Sequence, residues 1–351
     1  MNTQDPIRDQ LDRPLRDLRI SVTDRCNFRC SYCMPAELFG ERYVFLPRDE
    51  ILSFEEIERL VGIFVGLGVE KLRITGGEPL LRHDVSGLIG RLAKIGPSDS
   101  GRALDIAMTT NGSLLPRFAK SLAAAGLSRV TVSLDSLDPE VFHATNGERF
   151  DVARVLEGLA AAEDAGFGSI KINCVVQKGI NDHGLVELAE HFRGTGHILR
   201  FIEFMDVGTR NEWRMDDVVR GAEIIERIAV ALPVEPIEPG YAGEVAKRWR
   251  YSDGSGEIGV ITSVSAPFCG DCTRARLTTE GSLVTCLFAD RGVDLRGPMR
   301  DGADDDSLRE LITSTWSARR DRYSEERQGL LQIEGAGERQ RERVEMYQIG
   351  G

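Results

Sequence analysis

Six of the seven cysteines stand in two tight groups far apart in the chain. The first reads Cys26-Asn-Phe-Arg-Cys30-Ser-Tyr-Cys33; the second is Cys269-Gly-Asp-Cys272, with Cys286 following after thirteen intervening residues. Thiolates are soft donors that suit iron–sulfur clusters and zinc. Three in one loop can hold three irons of a cubane and leave the fourth iron open to a small molecule. A structural zinc site would want a fourth ligand, commonly a His or a second Cys pair. Neither group has a nearby His, since all five lie at position 197 or earlier. Zinc remains an alternative, most of all for the second group, because Cys-x2-Cys is common in zinc sites. A secreted disulfide framework would spread its cysteines differently and suit a smaller chain.

Positive charge in a pattern is the second chemical signal. Arg19, Ser21 and Thr23, then Arg73 and Thr75, then Lys171 and Asn173 recur at every second position of β-branched runs, which puts each set on one face of a strand. Two further arginines alternate beside the second cysteine group, in Cys272-Thr-Arg274-Ala-Arg276. The chain of 351 residues has a formal net charge of −12, which argues against nucleic acid or an anionic membrane as a general partner. A few cations gathered in one cleft can still hold a phosphate. The longest apolar stretch, 60–69, is too short for a membrane span, and the polar start, 1–12, lacks a signal-peptide layout. The expected compartment is the cytoplasm.

Strand and helix text alternate through the first two-thirds of the chain. Strands are expected at 18–22, 71–75, 105–109, 129–134, 170–176 and 198–204, with helices at 54–67, 85–95, 116–125, 152–165 and 183–192. Gly68, Gly126 and Gly166 stand where helix ends want them. Such alternation predicts an α/β fold with a parallel sheet and helical crossovers. Strands buried on both faces would read as apolar throughout, whereas these keep a polar face, so they should surround a lumen. Six strands fall short of a closed eight-stranded barrel, and an incomplete (βα)6 TIM-like barrel over 1–215 is expected. After residue 206 the rhythm fails. A smaller C-terminal domain, 216–351, should close the open side and carry the second cysteine group, with a helix over 307–327.

The Cys-x3-Cys-x2-Cys loop, with Tyr32 before its third cysteine, resembles the cluster motif of the radical S-adenosylmethionine superfamily. Thr75-Gly-Gly-Glu-Pro79 is similar to that superfamily's second element; its glycines let a ligand approach and Glu78 could accept from an ammonium, and the resemblance implies that this turn binds the methionyl amino group. Longer ordered matches resemble the GTP 3',8-cyclase family over essentially the whole chain: Arg16-Asp-Leu-Arg19-Ile-Ser-Val-Thr-Asp-Arg25, Thr109-Thr-Asn-Gly112, Val132-Ser-Leu-Asp135, Arg200-Phe-Ile-Glu-Phe-Met205, Cys272-Thr-Arg-Ala-Arg276 and the terminal Gly350-Gly351.

The resemblance implies a [4Fe–4S] cluster on Cys26, Cys30 and Cys33 with S-adenosylmethionine on its open iron, contacted by Tyr32, Gly77, Ser133 and Met205. It implies a second [4Fe–4S] cluster on Cys269, Cys272 and Cys286 that anchors the guanine of GTP. GTP contacts fall to Arg19, Arg73, Thr109, Lys171, Arg274, Ala275 and Arg276, and the catalytic role to Arg274 and Arg276. The implied reaction takes the hydrogen from ribose C3' of GTP and joins C3' to guanine C8, the first step of molybdenum-cofactor biosynthesis. It needs a reductant that the sequence does not identify, and its unstable product suggests hand-over to cyclic pyranopterin monophosphate synthase; a homodimer is compatible with the sequence. Gly350-Gly351 would reach into the active site, whereas its residues alone read as a frayed end. Cys174 reads as a small buried hydrophobe. The other readings are a peptide-modifying enzyme of the same superfamily and a non-catalytic iron–sulfur carrier. A carrier has no need of a cation-lined lumen.

Overall fold

The computed structural model describes residues 6–40, 42–96, 103–241, 243–327 and 343–350. Period-two patterning becomes a sheet with one apolar and one polar face. In β1 (Asp17–Ser21), Leu18 and Ile20 join the main core while Arg19 faces the other way. β2 (Lys71–Thr75), β3 (Asp105–Thr110), β4 (Arg129–Ser133), β5 (Lys171–Val176) and β6 (Ile198–Glu203) follow in chain order, all parallel. The helices α1 (Phe54–Gly66), α2 (Val85–Leu92), α3 (Leu115–Ala124), α4 (Pro139–Asn146), α5 (Val152–Asp164) and α6 (Leu185–Phe192) contribute to the core on the apolar face. α1 opens with a capping box, in which Ser53 accepts from the Glu56 amide at 3.1 Å and Glu56 accepts from the Ser53 amide at 2.7 Å. Gly68, Gly126 and Gly166, with φ of 102°, 99° and 88°, follow α1, α3 and α5 in the left-handed region where a Cβ is costly.

The C-terminal segment extends both edges of this sheet. After α7 (Gly221–Ala231) come β7 (Val234–Ile237), β8 (Lys247–Tyr251) and β9 (Glu257–Ile261), and β9 pairs parallel to β6. β10 (Arg274–Leu277) pairs parallel to β1, with β11 (Ser282–Val284) and β12 (Val293–Asp294) outside it. The result is one twelve-stranded sheet in the order β12-β11-β10-β1-β2-β3-β4-β5-β6-β9-β8-β7. Among the described residues no pairing joins β1 to β6, so the six-stranded barrel is incomplete, as the sequence implies.

Two local expectations need correction. α4 was not foreseen, although Asp138 caps it, accepting from the Glu140 amide at 2.8 Å, and Pro139 fills its first turn. The helix expected over 307–327 is interrupted: following α8 (Arg296–Arg300), α9 (Asp305–Ser317) stops before Arg319, which turns inward to pair with a buried carboxylate, and helix resumes over 323–327. Among the described residues no helix is long and apolar enough to cross a membrane.

Candidate active site

The first cysteine loop leaves the C-terminal end of β1 and is gripped from two sides. On one side the end of α4 holds it: the Arg29 amide donates to Asn146 O at 2.9 Å, the Ser31 amide to Thr145 O at 3.0 Å, and the Cys30 thiol to Asn146 Oδ1 at 3.2 Å. On the other side lies the Gly-Gly turn after β2. The Gly77 amide donates to Thr23 O and the Glu78 amide to Arg25 O, both at 2.8 Å. A Cβ on Gly77 would overlap the Arg25 carbonyl, so this glycine is needed for the two turns to touch.

Glu78 does not play the part expected of it. It is 0% exposed and accepts from the Leu80 amide (3.0 Å), the Thr110 hydroxyl (2.8 Å) and the Asn111 amide (2.7 Å). Its carboxylate is a brace between the turn and the end of β3, with no exposed edge for a ligand ammonium. Burial pushes its pKa up to about 7.

The three thiols of this loop are free and half-buried. Burial, then the nearby Glu78 charge, pushes Cys26 up to about 12. Burial and the neighbouring cysteines raise Cys30 and Cys33 as well. The surrounding protein therefore disfavours three bare thiolates, and a cationic iron cluster is the kind of group that would reverse this. The Tyr32 hydroxyl donates to Asp135 Oδ2 at 2.9 Å, just beyond Ser133 at the end of β4. Met205, two residues past β6, lines the central cavity.

That cavity collects the cations. Register places Arg276, Arg19 and Arg73 in one row across β10, β1 and β2, and Thr109, Thr131 and Lys171 in another across β3, β4 and β5. Arg19, Arg73, Thr109, Lys171, Arg274 and Arg276 all line the same cavity. Ala275 is the exception: the whole residue is 0% exposed, its side chain is packed in the apolar core, and the structure does not bring it to the cavity wall. Two cations that sequence reasoning missed, Arg129 and Arg200, join the lining. Both obey the period-two rule that revealed the others. Arg129 pairs with Asp105, and Arg200 donates to Asn173 Oδ1 at 2.7 Å.

Crowding leaves its mark on these groups. Burial, and then its arginine neighbours, lower Lys171 to about 8; Arg200 is lowered by burial and Arg73, and Arg276 by burial and Arg274. The buried Nε of Arg276 has no hydrogen-bond partner among the described residues. Like charges packed together with a spare donor form a site for a polyanion.

The second cysteine group lies at the opposite end of the strands. Cys269–Asp271 forms a short turn before β10, which runs parallel to β1. At about 3.3 Å per residue, a five-residue strand such as β1 spans roughly 17 Å between the two groups. Cys269, Cys272 and Cys286 all line the cavity. Burial would raise the Cys272 thiol, but Arg274 and Arg319 outweigh it and bring it down to about 6, while burial takes Cys286 up to about 11. Among the described residues no three His, Cys, Asp or Glu side chains close round a single-ion position. Cys174 is 1% exposed in the main core, as a small hydrophobe would be.

The C-terminal tail returns to the first group. Glu345 accepts from the Thr209 amide at 3.0 Å, Met346 lines the cavity, and the Tyr347 and Tyr43 hydroxyls meet at 3.0 Å. Gly350 is buried at φ 64°, and a Cβ there would overlap Thr75 at the end of β2. Gly351 lies outside the described residues.

Comparison with known proteins agrees with this layout. Residues 20–192 match the radical SAM superfamily, and residues 197–325 match the family described as Molybdenum Cofactor Synthesis C. The chain is 55% identical over 324 residues to a GTP 3',8-cyclase of Acidothermus cellulolyticus, covering 91% of this chain and 88% of that one. It is 50% identical over 346 residues to a GTP 3',8-cyclase of Xanthomonas axonopodis pv. citri, covering 99% of each. The chain belongs to the GTP 3',8-cyclase family. As a member it is a lyase of the first step of molybdenum-cofactor biosynthesis, a radical S-adenosylmethionine enzyme working with two [4Fe–4S] clusters. Its fold is shared with the crystal structure of Streptococcus suis SuiB, at a TM-score of 0.58 and 13% identity, covering 88% of this chain and 67% of that one.

Proposed function

We propose that GTP lies along the cavity between the two cysteine groups, its triphosphate among Arg19, Arg73, Lys171, Arg274 and Arg276, with Thr109 completing the contacts. Cys26, Cys30 and Cys33 hold the first cluster; Tyr32, Gly77, Ser133 and Met205 surround the S-adenosylmethionine bound there. Cys269, Cys272 and Cys286 hold the second cluster, which anchors the guanine. The single observation that carries this reading is that one cavity joins Met205, the cation rows and the second cysteine group. When bound and reduced, these cofactors supply the 5'-deoxyadenosyl radical that removes the C3' hydrogen of GTP and the electron that completes closure onto C8.

The chain's own work is positional. Opposite-end placement of the two groups sets the distance between cofactor and substrate, and a substrate held near the reacting group gains most of what orientation can give. Arg274 and Arg276 steer the phosphates and the guanine anchor at once, because they lie on the strand that the second cysteine turn leads into. The tail approaches the cavity through Met346 and packs Gly350 against Thr75. Residues 1–215 act as the radical domain and 216–351 as the substrate-anchoring domain. The enzyme works in the cytoplasm, draws electrons from an external reductant, and passes its unstable product to cyclic pyranopterin monophosphate synthase; a homodimer is the proposed assembly.

The test is product analysis after anaerobically reconstituted protein meets S-adenosylmethionine and GTP deuterated at C3'. Deuterium should appear in 5'-deoxyadenosine alongside cyclised GTP. Unlabelled 5'-deoxyadenosine accumulating beside fully labelled GTP would reject abstraction at C3'.

A further inference from the structure

Beneath the second cysteine group lies a buried ion group made from the two ends of the chain. Arg13 Nε meets Asp9 Oδ2 at 2.6 Å, and Arg319 Nη1 meets the same oxygen at 3.3 Å. The side chains are 2%, 0% and 2% exposed for Arg13, Asp9 and Arg319. Asp9 Oδ1 is occupied as well, accepting from the Leu11 and Arg13 amides at 2.9 Å each. The same two guanidinium groups reach the cysteine turn. Arg13 Nη1 donates to Cys269 O at 2.8 Å, and Arg319 Nη1 donates to Cys272 O at 2.8 Å. Both arginines line the cavity, and Arg13 Nη2 is buried with no hydrogen-bond partner among the described residues. Trp316 completes the arrangement, donating to Arg13 O at 3.2 Å and lying under the Arg319 guanidinium at 4.6 Å.

Such a group is costly to bury for stability alone, since two well-packed apolar residues would serve the fold as well or better. Two guanidinium groups against one buried carboxylate leave a net positive charge; Asp321, 35% exposed and 3.4 Å from Arg319, screens it only in part. We infer that Asp9, Arg13 and Arg319 are positioning residues for the cluster on Cys269, Cys272 and Cys286. They fix the turn that presents two of its thiolates and raise its reduction potential. The inference rests on the reading that these cysteines hold a cluster. Charge near a cluster and hydrogen bonds around its ligands set its potential, and a nearby positive charge favours the more negative reduced state. Asp9 has the opposite charge effect while holding both cations in place.

The test is a redox titration of the reconstituted protein followed by electron paramagnetic resonance, with the first cluster as the internal reference. Arg319→Met removes a cation and should move the second cluster to a more negative potential. Asp9→Asn keeps an acceptor for the Leu11 and Arg13 amides and should move it the other way. The first cluster should stay where it is in both. Selective loss of iron from the second site, with the first intact, would equally support the cradle. Unmoved potentials at full loading, shifts of the same sign in both variants, or equal iron loss from both sites would overturn it. Should Arg319→Met fail to fold, Arg319→Lys keeps the charge and should hold the potential near wild type; a shift as large as that of Asp9→Asn would also overturn it. A wild-type protein without iron at the second site would sink the cluster reading itself, and this inference with it.

Discussion

Lys171 stands in the cavity with Arg200, Arg129 and Arg73 as like-charged neighbours and Glu244 opposing them, and burial with these cations brings it to about 8. Its charge is therefore lost as pH rises through 8, well inside the range where the protein can be studied. If GTP binds the charged form, the occupied fraction of that form sets the affinity. Lys171 is about nine-tenths charged at pH 7 and about one-tenth charged at pH 9, so the GTP dissociation constant should rise roughly tenfold across that interval. Arg200 is a guanidinium and keeps its charge across this interval, so the slope belongs to Lys171. The sign follows from the lowered pKa: a cation depressed in the free protein regains its proton when the anion arrives, so GTP binding above pH 8 should take up protons. Calorimetry on the reconstituted protein, in buffers of different ionisation heat, reads the affinity and the proton count together. Guanosine, which has no phosphates, should bind with no such pH dependence. Lys171→Arg should flatten most of the slope. A GTP affinity constant from pH 7 to 9, or an unchanged slope in Lys171→Arg, would refute the placement of the phosphates beside Lys171.

Three other outcomes are expected. Arg274→Ala or Arg276→Ala should weaken transition-state binding by about 1.5–3 kcal/mol, seen as a fall in kcat/KM of roughly ten- to a hundredfold, while iron content stays at wild type; wild-type turnover would remove the pair from the site. Cys30→Ala should abolish S-adenosylmethionine cleavage, whereas Cys286→Ala should keep slow cleavage but yield no cyclised GTP, since its ligand lies at the other end of the strands; normal cyclisation in Cys286→Ala would make the second cluster structural. Gly350→Ala places a Cβ against Thr75 from a backbone at φ 64° and should displace the tail, lowering cyclisation with an unchanged melting temperature; unchanged cyclisation would return the tail to the role of a frayed end.

Legibility in the sequence followed the range of the interactions involved. β2 came out at the residues expected, Lys71–Thr75, because alternation is a local signal that needs no knowledge of the partner strand. Arg129 and Arg200 were open to the same rule and were passed over. Asp138-Pro139 is a start signal for α4, yet the helix breaks the strand–helix alternation by preceding α5 with no strand between, and its end holds the first cysteine loop. Glu78 misled for another reason: a carboxylate in a glycine turn looks available, and only the fold shows that three donors from β3 and its own turn have used it. The pairings of β9 with β6 and of β10 with β1 join segments far apart in the chain, and no local pattern encodes them. Asp9, Arg13 and Arg319 belong to this last class, since each alone reads as a surface charge.

The pairing of β10 with β1 explains more of the site than any single residue does. Loops that follow parallel strands gather at one end of a sheet, and segments that precede them gather at the other. Cys26–Cys33 follows β1 and Cys269–Cys272 precedes β10, so the length of two bonded strands, not a hinge, separates the two cysteine groups. The register is equally consequential. A slip of one residue would swing Arg274 and Arg276 into the apolar core and turn Ala275 toward the cavity. Several contacts oppose that slip: the Arg16 and Asp17 amides both donate to Thr273 O at 3.1 Å, and the Thr273 hydroxyl meets Asp17. Ala275 then acts where its side chain points away from the substrate. It is opposite Leu18 under the helical layer, where it is 0% exposed and a larger residue would have to displace packed neighbours. The small residue between the two arginines thus holds the strand in the one register that aims both of them into the cavity.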